Sequence, residues 1–308
     1  MNIPNPTKSA LHRLMWITNV KQFFPDKSPE EYWDSYQQWN RNRTDYAALY
    51  RYFDLLRLRS ERPDSPAGLF QNGILISFHY GPYRLLPRYL IALGIRLSIL
   101  ASADVIARER DWYVNELQKA NIPTDTLEFL DAGAAMVFRK IIQANASGRL
   151  VLVYLDANEG QLNAQYAQSV DKIKIPFGAH HFYWRSNLLK FALRLGINVG
   201  VGYLKMDANG QNWQIDRITS LWDSRTTDDK WKAVHALETL QCTFQQMIRQ
   251  DWRAWENWAY IHVYNDDEQP APAALSAKGS WFVPFSIRDK GYLYDIESRQ
   301  FFEVLSKK

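Results

Sequence analysis

The 308-residue chain holds a single cysteine, Cys242, so no internal disulfide framework and no cysteine-based metal site can form. Cys242 lies in a helical pattern without distinctive neighbours, which reads as a small core residue. No run of about 18 apolar residues occurs, so no transmembrane helix is expected. The opening Met1-Asn2-Ile3-Pro4-Asn5-Pro6 lacks the apolar stretch of a signal peptide, and a cytoplasmic protein is the resulting expectation. A G-x-S-x-G elbow is missing, which removes the α/β-hydrolase serine, and there is no Walker A loop. Gly200-Val201-Gly202 lacks the third glycine of a dinucleotide loop and lies inside an apolar run, where strand packing explains it. His180 and His181 are adjacent and so point to opposite faces of a strand. Without Cys or carboxylates at ligand spacing, they give no metal expectation. A large excess of one charge is absent too: 37 Lys and Arg against 33 Asp and Glu leave +4. That balance favours an acidic partner surface or anionic lipid but is too weak to imply nucleic acid.

Aromatic residues are abundant, with 12 Trp, 17 Tyr and 15 Phe, a supply that suits apolar pockets as well as the core. Residues 9–60 look helical, and Ser28-Pro29-Glu30-Glu31 has the spacing of a capping box. The loop Pro63 to Gly68 ends this helical N-terminal part, 1–66. An alternation then begins: strand 74–78, helix 83–93, strand 97–101, helix 105–120, helix 133–146, strand 150–155, helix 186–195 and strand 198–204. This rhythm predicts an α/β fold with a central, mostly parallel sheet flanked by helices. A long helical pattern covers 226–258, with Thr226 and Asp229 at capping-box spacing. Its stripe of Trp231, Val234, Leu237, Leu240, Phe244, Met247 and Ile248 reads as core. The chain divides into an α/β domain over 1–265 and a linker with a small C-terminal β appendage over 266–308. Residues 281–305 read as a hairpin around Asp295 to Arg299.

His79 is the residue with chemical promise. It closes the buried run Ile74-Leu75-Ile76-Ser77-Phe78 and precedes Tyr80-Gly81-Pro82-Tyr83, where Gly81 permits a tight turn and Pro82 suits a helix start. Ligands of open α/β sheets gather at such strand ends, and histidine is the side chain best suited to act as a base near neutrality. The plainer alternative is a histidine that merely caps a strand.

Four segments, in order, resemble the lysophospholipid acyltransferase superfamily, in its lipid A lauroyl/myristoyl acyltransferase branch. They are Ser77-Phe78-His79-Tyr80-Gly81-Pro82-Tyr83-Arg84, Arg108-Glu109-Arg110 with the helix to Gln118, Gly148 to Asp156, and Ile175-Pro176-Phe177-Gly178. The stretch Trp252 to Trp258 is similar to the family's aromatic C-terminal block, and the likeness spans about residues 70–262. The resemblance implies that His79 is a general base activating an acceptor hydroxyl against an acyl thioester. The thioester would be carried on acyl carrier protein or coenzyme A, with no further cofactor. It implies binding roles for Tyr83, Arg84, Arg108, Glu109, Arg110, Phe177 and Gly178. Arg84 stands where the family has its acid, and a cation there would depress the histidine pKa and cannot accept its N–H. Three readings follow. His79 acts alone or with another carboxylate, Asp156 first and Glu109 next; the acceptor is an amine or other nucleophile that needs less activation; or the protein is a non-catalytic binder of acyl carrier protein or lipid. The chain also departs from the family in lacking an N-terminal membrane anchor and in the bulky Ala179-His180-His181-Phe182-Tyr183-Trp184-Arg185. The changed acid and the missing anchor point to specialised lipid or secondary-metabolite biosynthesis. The aromatic, basic N-terminal helices leave open a peripheral membrane contact.

Overall fold

The computed structural model describes residues 8–61, 63–156, 172–177, 180–207, 213–222, 229–263, 281–287 and 290–304. They belong to two compact units, one of 39–173 with 184–256, the other of 1–38, 174–183 and 257–308. The N-terminal part is helical, with α1 (Lys8–Phe23), α2 (Pro29–Tyr52) and α3 (Leu55–Glu61). The expected capping box opens α2: the Ser28 amide donates to Glu31 at 2.7 Å, and the Glu31 amide donates to the Ser28 hydroxyl at 3.2 Å.

The alternating region runs β1 (Gly73–Ser77), α4 (Leu85–Ala92), β2 (Leu97–Ala101), α5 (Ala103–Lys119), β3 (Leu127–Asp131), α6 (Val137–Ala146) and β4 (Leu150–Tyr154). Next come β5 (Lys172–Phe177), β6 (His180–Arg185), α7 (Asn187–Arg194), β7 (Val199–Val201), β8 (Leu204–Met206), β9 (Trp213–Ile215), β10 (Thr219–Trp222) and α8 (Asp229–Asp251). Six strands of the larger unit form one sheet in the order β10-β7-β1-β4-β2-β3, with only β10 antiparallel to its neighbour. The fold is thus the expected α/β architecture. The two most apolar runs, β1 and β4, lie side by side at its centre, where burial on both faces demands continuous hydrophobicity. Leu75, Leu86, Leu90, Leu97, Leu117, Leu150 and Leu152 are among the core residues that join sheet and helices.

Several elements differ from expectation. β3 was not anticipated between α5 and α6; it is a five-residue edge strand with only Leu130 buried, so its apolar signal is weak. The strand expected over 198–204 breaks after Val201, where the Gly202 amide makes a 3.0 Å bond to the Ile76 carbonyl. The chain then leaves the sheet and pairs β8 with β9. α8 ends at Asp251, whose carboxylate accepts from the Arg253 amide at 3.1 Å and starts a 3₁₀ turn over Trp252–Ala254. Within α8, Leu240, Phe244, Met247 and Ile248 are core, but Val234 is exposed, and so is Cys242, which is not a core residue. Thr226 and the expected linker 266–272 lie outside the described residues. In the smaller unit the C-terminal appendage is a three-stranded antiparallel sheet, β11 (Phe282–Ile287), β12 (Lys290–Asp295) and β13 (Gln300–Glu303), instead of a single hairpin. Its second turn is closed by buried Asp295, which accepts from the Glu297 and Ser298 amides.

Candidate active site

The site follows from strand register. β1 and β4 are parallel with Ser77 opposite Tyr154. Two residues beyond each partner stand His79 and Asp156, so equal extension of both strands brings them together at the carboxyl edge of the sheet. His79 Nδ1 lies 2.9 Å from Asp156 Oδ1. The His79 backbone N–H also donates to the same carboxylate, at 3.1 Å to Oδ1 and 3.0 Å to Oδ2. Asp156 is fully buried, while the His79 side chain keeps 20% exposure. A carboxylate only accepts, so the proton of the neutral ring is assigned to Nδ1, and Nε2 is left with its lone pair.

A third donor fixes the carboxylate. Trp255 Nε1–H reaches Asp156 Oδ2 at 2.7 Å. Trp255 is held in turn: its carbonyl accepts from Trp39 Nε1–H at 2.9 Å, and its ring meets Phe244 edge-on at 5.3 Å. The segment around it is latched to the His79 turn by backbone bonds, Gly81 N–H to the Ala254 carbonyl at 2.9 Å and Glu256 N–H to the His79 carbonyl at 2.8 Å. Gly81 is required there twice over. Its φ is +59°, and a Cβ would fall 2.6 Å from the Trp213 ring.

The His79 ring is walled by tyrosines, with the Tyr83 ring edge-on at 4.6 Å and the Tyr154 ring at 4.9 Å. The Tyr154 hydroxyl donates to the Tyr83 carbonyl at 2.9 Å, which ties the wall to the turn. Burial raises the pKa of both phenols, so both stay neutral donors. At His79, burial works against protonation. The Asp156 carboxylate outweighs it through charge and hydrogen bond and lifts the pKa above the ordinary 6.5, with Glu256 helping and Arg84 opposing. The expectation that Arg84 would set a depressed histidine pKa is therefore corrected. Its charge is one opposing influence among larger ones, and its guanidinium lies 3.4 Å from Glu109 Oε1.

Arg84 also approaches the Tyr83 hydroxyl at 3.4 Å, so Tyr83 and Arg84 do stand beside His79. Glu109 is engaged by Arg84 and, at 3.3 Å, by exposed Arg108. The carboxylate on the His79 ring is Asp156. Arg110 lines a hollow of about 630 Å³ with Tyr113, Leu117, Thr124, Glu128 and Arg149, a set that includes neither His79 nor Asp156. Phe177 closes β5 in the smaller unit, and Gly178 lies outside the described residues. The sequence pattern by itself assigns no role to Trp255, Tyr154 or Glu256. The aromatic density of 252–258 was visible there, but Trp255 stands 99 residues from Asp156, and no periodicity links them. Glu256 completes the surround, 3.5 Å from Arg43 and beside the Tyr83 hydroxyl.

No protein-family model matches this chain, and no curated protein matches it. Among the described residues no cluster of His, Cys, Asp and Glu has metal-binding geometry. The chemistry that the described side chains offer is that of a histidine base oriented and charge-compensated by a buried aspartate.

Proposed function

We propose that this protein is an acyltransferase, moving an acyl group from a thioester on acyl carrier protein or coenzyme A to a hydroxyl or amine acceptor. The observation that carries the proposal is the 2.9 Å contact between His79 Nδ1 and Asp156 at the carboxyl edge of the sheet. The resemblance of residues 70–262 to lipid A acyltransferases supplies the reaction class. Nε2 takes the acceptor proton as the acceptor oxygen or nitrogen bonds to the thioester carbon. Asp156 stabilises the imidazolium that results and holds the ring in the reactive tautomer. When the tetrahedral adduct collapses, the C–S bond breaks and the leaving thiolate recovers the proton from Nε2. Asp156 thus takes the place of the acid that Arg84 displaced. Arg84 and Tyr83 offer donors beside the ring, and Arg108 shares Glu109 with Arg84. Arginine suits a phosphate-bearing carrier through its fixed fork of donors. The replacement of the family acid by Arg84 is what supports a specialised-lipid or secondary-metabolite setting.

The experiment is incubation of purified protein with an acyl-coenzyme A or acyl-phosphopantetheine donor and a panel of alcohols and amines. Thiol release matched one-for-one by acylated acceptor is expected. No thiol release with any donor, or release with hydrolysis as the only outcome, would reject acyl transfer and favour a binding role.

A further inference from the structure

We infer that α6 and α7 form a docking surface for an anionic lipid membrane. Phe138 of α6 packs against Phe191 of α7, with ring centroids 4.6 Å apart. Ile142 lies one turn beyond Phe138, and Leu195 one turn beyond Phe191, so each ring is extended by an aliphatic side chain on the same side of its helix. Phe138, Ile142 and Leu195 are 39%, 42% and 50% exposed, and Met136 just before α6 is 52% exposed. Exposed apolar side chains gathered on two helices that touch through Phe138 and Phe191 are the kind of surface that marks an interaction site.

The charges choose the partner. α6 carries Arg139 and Lys140, α7 carries Lys190 and Arg194, and neither helix contains an Asp or Glu. All four are exposed; Arg139, Lys190 and Arg194 neighbour the apolar stripe, whereas Lys140, two residues from both Phe138 and Ile142, lies on the far side of α6. Aromatic and aliphatic side chains flanked by Arg and Lys match the interface of an anionic bilayer. The apolar groups enter the acyl boundary, and the long basic side chains reach the headgroups. The N-terminal helices, expected as a membrane contact from their composition, fit less well, since α2 mixes Glu30, Glu31, Asp34 and Asp45 with its arginines. Among the described residues no helix is long and apolar enough to cross a membrane, so the contact proposed is one that lies on the surface. This inference goes beyond the acyl-transfer reading and does not depend on it.

The test is sedimentation of the full chain with vesicles of phosphatidylcholine alone and of phosphatidylcholine mixed with phosphatidylglycerol. Binding to the anionic vesicles and little to the neutral ones is expected. Each cation lost should weaken partitioning by about fivefold, so Arg139→Gln with Arg194→Gln should weaken it by about 25-fold. Ile142→Asn with Leu195→Asn should also abolish most binding, and circular dichroism establishes that each variant is folded. The charge pair serves as the independent arm if the apolar pair fails to fold. Absence of vesicle binding, equal binding to both vesicle types, or full binding by folded variants would overturn the inference. So would indifference to vesicles with retention on an immobilised acidic acyl carrier protein through Arg139 and Arg194. Because vesicle binding is read without turnover, a catalytically inert protein that still binds would leave this inference standing.

Discussion

Replacing Asp156 by Asn changes little volume and reverses one hydrogen-bond role. Among the described residues, the native carboxylate accepts from three N–H groups: the His79 amide, the His79 ring and Trp255 Nε1. An amide has one acceptor oxygen and one donor nitrogen. If the oxygen keeps the short, buried Trp255 bond, the NH₂ faces Nδ1, and the ring must carry its proton on Nε2, where no lone pair remains for the acceptor. If the amide turns round, the Trp255 donor is orphaned in a buried site at a cost of about 1–3 kcal/mol. The first arrangement is expected to dominate, and turnover should fall by about 10³–10⁴-fold, the scale associated with an inverted histidine tautomer in catalytic triads. The assay pairs thiol release from the thioester with ¹⁵N NMR of the ring, which reports which nitrogen is protonated. Native-like turnover, or an Nδ1–H tautomer retained in the variant, would show that Asp156 does not set the tautomer on which turnover depends.

Other consequences are open to measurement. The acid limb of the kcat/KM profile should report a pKa above 6.5, and Arg84→Gln should move it further up, because Arg84 opposes protonation of His79. A limb at or below the ordinary value would contradict the electrostatic account. Protonated His79 also stabilises the fold, since the folded chain holds this proton more tightly than the unfolded one. That contribution is complete below the unfolded value near 6.5 and is lost as pH rises through the raised folded value. Urea melts across this range should show it, and Asp156→Asn should flatten the slope. Trp255→Phe keeps the packing against Phe244 but removes the 2.7 Å donor, and a destabilisation of about 1–3 kcal/mol in urea melts is expected; an unchanged midpoint would mean that water replaces the indole at no cost. Gly81→Ala combines a left-handed φ with a Cβ at 2.6 Å from Trp213, so a loss of about 1–3 kcal/mol should lower the thermal midpoint.

The sequence made the centre of the sheet legible because β1 and β4 are buried on both faces and need unbroken apolar runs. That same pattern carried the site, since both runs end in phase and place His79 beside Asp156. The edges were harder to read. β3 is as long as β1 and β4 but has a single buried residue, and β10 spans only four residues, so neither carries a strong apolar run. At Arg84, spacing shows that a cation follows histidine but not where its guanidinium goes, and Glu109 lies 3.4 Å from it. Trp255 and Glu256 reach the site through the 3₁₀ turn after α8, a departure from the helix that the periodicity had continued to 258. A helix running through those positions would not give the Trp255 bridge to Tyr80 or the Glu256 amide bond to His79.

The proposed acyl transfer rests on His79 as its base. Its most direct test is the rate at which wild-type protein and His79→Ala consume an acyl thioester in the presence of acceptor, with folding of the variant established by circular dichroism. A loss of about 10²-fold or more is expected, the usual worth of a general base. A folded His79→Ala variant that turns over at the wild-type rate would contradict it.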